Sequence, residues 1–84
     1  MIVGSIVKTK QNLKGVCFSK DNCMRAGILF QDGSHRFYTK AERLHILTPI
    51  NVDVSLANYK YNNVKEMRVD FEVGIFDEAL GIVK

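Results

Sequence analysis

A mainly β fold is predicted by three features of this 84-residue sequence. Its first half consists of short runs rich in β-branched and aromatic residues, separated by polar triplets. An Asp-Gly pair, Asp32-Gly33, stands between two of those runs, and residues 65–73 alternate apolar and polar side chains. Short β-branched runs suit a pleated, half-buried backbone. Asp-Gly suits a tight hairpin, because glycine tolerates the positive φ that such turns demand. Period-two alternation puts one face of a strand on the core.

The elements follow in order. Residues 3–9 (VGSIVKT) read as a first strand, closed by Lys10-Gln11-Asn12. Residues 14–19 (KGVCFS) form a second, closed by Lys20-Asp21-Asn22. Residues 25–31 (RAGILFQ) form a third, with Gly27 a natural place for a bulge or bend. Asp32-Gly33 turns the chain into a fourth strand over 35–39 (HRFYT). Residues 40–43 (KAER) are too few for a stable helix and read as one 3₁₀ turn. A fifth strand over 44–47 (LHIL) ends at Thr48-Pro49. The expected core is Ile6, Val16, Phe18, Ile28, Phe30, Phe37, Leu44, Ile46 and Phe71.

Five short strands, a tight third-to-fourth hairpin and a helical turn before the last strand resemble the SH3-like small barrel, in the group that includes KOW and Tudor-type modules. The residues that carry the resemblance are Gly4-Ser5-Ile6-Val7, Lys14-Gly15-Val16, Leu29-Phe30-Gln31-Asp32-Gly33 and the return from Phe37 to Leu44. It covers residues 3–48 and implies a barrel there and a binding role.

The remaining residues, 50–84, exceed what such a barrel needs. Residues 52–61 (VDVSLANYKY) alternate at both ends, and Asn62-Asn63 marks a turn. Over 65–73, Met67, Val69, Phe71 and Val73 alternate with Glu66, Arg68, Asp70 and Glu72. Glu, Met and Arg favour helix, but the β-branched and aromatic members and the alternation favour a strand. Residues 75–83 (IFDEALGIV) suit either a short helix or a last strand, with Gly81 weakening the helix. The expectation is one domain over 1–84: a barrel, and a β-rich extension packed on it or on a second subunit.

Composition narrows the function. An apolar fraction of 46% and a charged fraction of 25% are those of a globular protein, not a disordered chain. No apolar run reaches the roughly 18 residues of a membrane span, and the first residues lack the pattern of a secretory signal. Cytoplasmic residence follows as the expectation, in a host cell if the source is viral. Cys17 and Cys23 are spaced C-x5-C, which is neither a zinc knuckle nor a redox motif. They read as free thiols, Cys17 on a strand and Cys23 in a loop, so no metal and no cofactor is expected. No phosphate loop, metalloprotease helix or nucleophile elbow is present. Asp77 and Glu78 are adjacent, so they diverge and make a poor acid–base pair. The chain reads as a non-enzymatic binding or regulatory protein.

Charge suggests the partner. Residues 1–50 carry Lys8, Lys10, Lys14, Lys20, Arg25, Arg36, Lys40 and Arg43 against Asp21, Asp32 and Glu42, a net +5, whereas residues 51–84 sum to −2. The segment 35–40 (HRFYTK) interleaves cations with aromatics. On a strand, Phe37 would face the core, and Arg36, Tyr38 and Lys40 would face a partner, with Lys8, Lys14 and Arg25 extending the patch. Three kinds of partner fit such a surface. The first is an acidic protein surface, including a second copy of the chain, as for small accessory or inhibitor proteins of viral type. The second is nucleic acid, through phosphate contact and base stacking. The third is a small anionic nucleotide held in an oligomer. A one-residue slip of register would invert the roles of Phe37 and Tyr38.

Overall fold

In the computed structural model, which describes residues 1–20, 25–59, 61 and 63–83, the first half of the chain forms a five-stranded antiparallel sheet. The strands are β1 (Ser5–Thr9), β2 (Lys14–Lys20), β3 (Ala26–Phe30), β4 (His35–Tyr38) and β5 (Leu47–Val52). Their order is β4-β3-β2-β1-β5, so β4 and β5 are the two edges and the sheet is not closed. The described residues also form three short helices: α1 (Lys40–Ile46) between β4 and β5, then α2 (Val64–Glu72) and α3 (Asp77–Leu80). Expectations about Asp21, Asn22, Cys23 and Asn62 lie outside the described residues.

The β3–β4 hairpin forms where Asp32-Gly33 places it. The Gly33 N–H donates to the Phe30 carbonyl (2.9 Å) and the Phe30 N–H to the Ser34 carbonyl (2.8 Å), a three-residue loop with Gly33 at φ +89°. Within the loop only Gly33 takes a positive φ, so this is a type I turn plus a bulged glycine, not a primed two-residue turn. Asp32 Oδ1 accepts from the Ser34 N–H (2.9 Å) and hydroxyl (2.6 Å) and braces the loop. These bonds hold the Asp32 carboxyl below the usual carboxylate range.

The first strand begins two residues later than expected because Gly4 turns the chain at φ +94°. A Cβ there would lie 2.6 Å from the Asp53 carbonyl oxygen, and the Gly4 carbonyl accepts the Asp53 N–H (2.8 Å). Both the φ and the close approach require glycine. Gly4→Ala is expected to cost at least about 1–3 kcal/mol, read as a lowered urea midpoint.

Both faces of the sheet are covered. One carries Ile6, Val16, Phe18 and Leu29, packed with Leu56, Met67, Phe76 and Leu80 from the second half of the chain. The other carries Val7, Cys17, Ala26, Ile28, Phe30, Tyr38 and Leu47, flanked by Met1 and Leu13. Cys17 is buried and free, and burial pushes its thiol pKa up.

Several expectations are corrected. The 3₁₀ turn over 40–43 and the strand over 44–47 are replaced by α1 and by β5, which starts at Leu47. The helix starts on a capping box: Thr39 Oγ1 accepts from the Glu42 N–H (3.3 Å) and Glu42 Oε1 accepts from the Thr39 N–H (2.9 Å). Pro49 does not end β5 but sits inside it opposite Val7, tolerated because β5 is an edge with a register shift beside it. The β-rich extension is helical instead. Asn63 caps α2, its side chain accepting the Glu66 N–H (3.0 Å). On α2, Met67 is fully buried and Val64 and Phe71 pack beside it, whereas Val69 and Val73 are exposed. The operative spacing is the helical 64-67-71, not the alternation. Gly81, at φ +68°, closes α3 as its C-cap.

Of the expected core, Ile6, Val16, Phe18, Ile28 and Phe30 are buried and Phe71 is partly so. Leu44 (76% exposed), Ile46 and Phe37 are not core residues. Leu44 and Ile46 lie on α1, which buries none of its side chains. Phe37 reaches a part of the first face that the C-terminal segment only half covers.

Candidate binding edge

The fourth strand is an edge, and its backbone alternation is fixed by the hairpin. In an antiparallel pair, residues exchange both N–H···O bonds at every second position. The Phe30–Ser34 bond sets that phase. Arg36 and Tyr38, opposite Ile28 and Ala26, therefore turn their N–H and C=O groups toward β3. His35 and Phe37, opposite Leu29 and Gly27, turn theirs outward. Among the described residues no strand pairs with that outer edge.

The side chains on the two faces of β4 differ from the expected row. Tyr38 is buried (4% exposed) and packs edge-on against Phe30, with ring centroids 6.4 Å apart. It is therefore a core residue and not a surface stacking group. Burial pushes its phenol pKa up, against the opposing effect of the Arg36 charge, and the nearby Glu42 adds to the rise. Arg36 is exposed and lays its guanidinium over the Tyr38 ring, 5.8 Å from the centroid. Lys40 is exposed at the first residue of α1, directly after its N-cap Thr39.

Phe37 is the exposed aromatic, and a cation covers it. The Arg25 guanidinium lies 5.7 Å from its centroid. Phe37 meets Phe18 (5.9 Å) and His35 (6.1 Å) edge-on. A second arginine, Arg68 of α2, joins this side. Its Nη1 donates to the Gly33 carbonyl (2.8 Å) and its Nη2 to His35 Nδ1 (3.0 Å). Arg68 belongs to the acidic half of the sequence, and only the helix turns it onto the hairpin. Its place three residues before Phe71, which packs against Gly33, was the available signal.

The six cations and aromatics expected to form one patch are thus divided. Arg36 and Lys40 flank the end of β4 on the Tyr38 side, and Arg25 flanks it on the Phe37 side. Lys8 and Lys14 lie elsewhere, directly opposite each other on β1 and β2. Lys14 borders a shallow hollow with Asp53 and Glu78, next to the acidic segment rather than β4.

Tyr61, whose ring meets Phe18 edge-on (6.4 Å), donates its hydroxyl to Asp70 Oδ2 (2.8 Å). Burial and this carboxylate push the Tyr61 pKa well above the ordinary tyrosine range. The folded state thus keeps the protons of Tyr61 and Tyr38 more tightly than the unfolded chain does. Stability is complete below the unfolded tyrosine value of about 10 and falls as the pH rises above it. An alkaline titration followed by circular dichroism should show this loss, and Tyr61→Phe should make it shallower.

Among the described residues, no three His, Cys, Asp or Glu side chains are placed to hold a metal ion. Nor, among the described residues, is any helix long and apolar enough to cross a membrane. Compared with family models, curated proteins and solved structures, the chain matches none of them.

Proposed function

We propose that this chain is a small non-enzymatic binding protein that takes an extended, acidic segment of a protein partner along the outer edge of β4. The observation that carries the reading is the pairing of an open strand edge with cations on both sides: Arg25 and Arg68 on one face, Arg36 and Lys40 on the other. An added strand gains main-chain hydrogen bonds from His35 and Phe37, and its alternate side chains fall to opposite faces. Acidic residues on such a strand meet an arginine whichever face they take. The strand order and the helix before the last strand also support an opened relative of the SH3-like small barrel, a fold well suited to docking.

A second reading rests on the Arg25–Phe37 pair. An exposed ring with a guanidinium over it also supports base stacking in single-stranded nucleic acid. Titration of the protein with an alternating Glu-Val peptide and with a single-stranded oligonucleotide separates the two. The peptide is expected to bind, and Arg36→Glu with Arg25→Glu is expected to weaken it by about tenfold or more. Oligonucleotide binding that falls steeply with salt, with no peptide binding, would favour the second reading and sink the first.

A further inference from the structure

The two edges of the sheet differ in charge. Cations flank β4, whereas β5 belongs to an uncharged run: no Asp, Glu, Lys or Arg lies between Arg43 and Asp53. Edge strands are commonly guarded by charge or by proline, and here the guard is Pro49. The Thr9 N–H donates to the Leu13 carbonyl (2.9 Å), so Thr9 and, by alternation, Val7 turn their backbone groups toward β2. Pro49, opposite Val7, therefore turns its nitrogen to the open side, where the edge lacks a donor. Strand addition is hindered at β5, so contact there falls to the side chains.

Those side chains are aliphatic and uncovered. Leu44, Ile46, Ile50, Val52 and Val54 are all exposed, Val54 by 75%. Ile2 is exposed beside them, because its carbonyl accepts from Ser5 (3.1 Å) and Ser5 stands opposite Val52. Single aliphatic side chains on a surface are ordinary, but a row of them marks an interface. The two ends of the row differ in sign. Lys40, Glu42 and Arg43 precede it, two cations against one carboxylate, and Asp53 follows it.

We infer that this row is the interface of a symmetric dimer, in which a second copy of the chain packs on β5 about a two-fold axis that sets the two rows antiparallel. Such an axis brings the centre of the row, Ile50 and Val52, against itself, which an uncharged surface allows without opposing like charges. It also brings the Lys40 end of one protomer to the partner's Asp53, so the charged ends complement each other. Because β4 and β5 are opposite edges of the sheet, both β4 edges stay open in the dimer. The inference is therefore independent of what β4 binds.

Sedimentation velocity of the full-length protein alone, from low micromolar to millimolar concentration, tests it. A reversible monomer–dimer equilibrium is expected. Ile50→Glu, at an exposed position, should raise the dimer Kd by about tenfold or more while the monomer keeps the parent's circular dichroism. Lys40→Glu should also weaken the dimer. Adding Asp53→Asn, which keeps an oxygen to accept from Ser55, should restore much of that loss. A monomer at every concentration, an assembly that grows past the dimer, or a dimer that Ile50→Glu or Lys40→Glu leaves unchanged would overturn the inference. No peptide is present in this measurement, so its outcome is separate from that of the β4 reading.

Discussion

Replacing Phe76 by alanine is expected to lower stability by about 3–5 kcal/mol, most of what a domain of this size possesses. Phe76 is 1% exposed, at the entrance to α3, and reaches into the cluster of Ile6, Val16 and Leu29 on the sheet. Its ring also lies 6.1 Å from that of Tyr61. Truncation would leave a hole beneath α3 that the rigid sheet cannot close. Chemical denaturation measures the loss, and Val73→Ala, at a residue 69% exposed, is the control expected to stay within about 0.5 kcal/mol of the parent. The pair of variants also distinguishes two roles for residues 50–84. If that segment served to bind a second copy instead of its own sheet, Phe76→Ala would change the oligomeric state and leave the monomer's stability almost intact.

The second large effect lies on the opposite face. Phe30→Ala is likewise expected to cost about 3–5 kcal/mol. Phe30 is 3% exposed, meets Tyr38 at 89° and lies against Gly15, where a Cβ would come within 2.9 Å of its ring. Its loss would remove the ring on which Tyr38 rests, at the base of the proposed binding edge. Unfolding followed by near-ultraviolet circular dichroism should therefore show Tyr38 losing its fixed environment. A variant melting like the parent would mean that this face is not a core.

The first half of the fold was legible and the second half was misread, for identifiable physical reasons. Strand runs and Asp32-Gly33 place four strands and their hairpin nearly where they form, because local propensity and turn chemistry agree there. The helix α1 was also legible, in the capping box Thr39-Lys40-Ala41-Glu42, but its shortness favoured a 3₁₀ turn and the aliphatic run after it a strand. In α2 the apolar residues satisfy two periods at once. Met67 and Phe71 belong to the helical row, and Val69 and Val73 merely complete an alternation that tertiary packing does not use.

The residues of the proposed binding edge turn on a different ambiguity. A strand covered on one face assigns its alternate residues by polarity. Here both faces carry a core, so Phe37 and Tyr38 compete equally for the interior, and the sequence offers no means of choosing. The structure buries Tyr38 and half exposes Phe37, the inversion that a one-residue slip produces. The cations survive this inversion, since Arg25 and Arg36 each accompany one of the two rings. Arg68 could be brought to the site only by a helix that the alternation concealed.

Hydrogen exchange at single amides of β4, with and without the alternating Glu-Val peptide, tests the proposed edge most directly. The amides of Arg36 and Tyr38 are already paired with β3 and should exchange at unchanged rates. Those of His35 and Phe37 should slow by about tenfold or more when the peptide adds its strand. Unchanged exchange at His35 and Phe37 under saturating peptide would contradict the account.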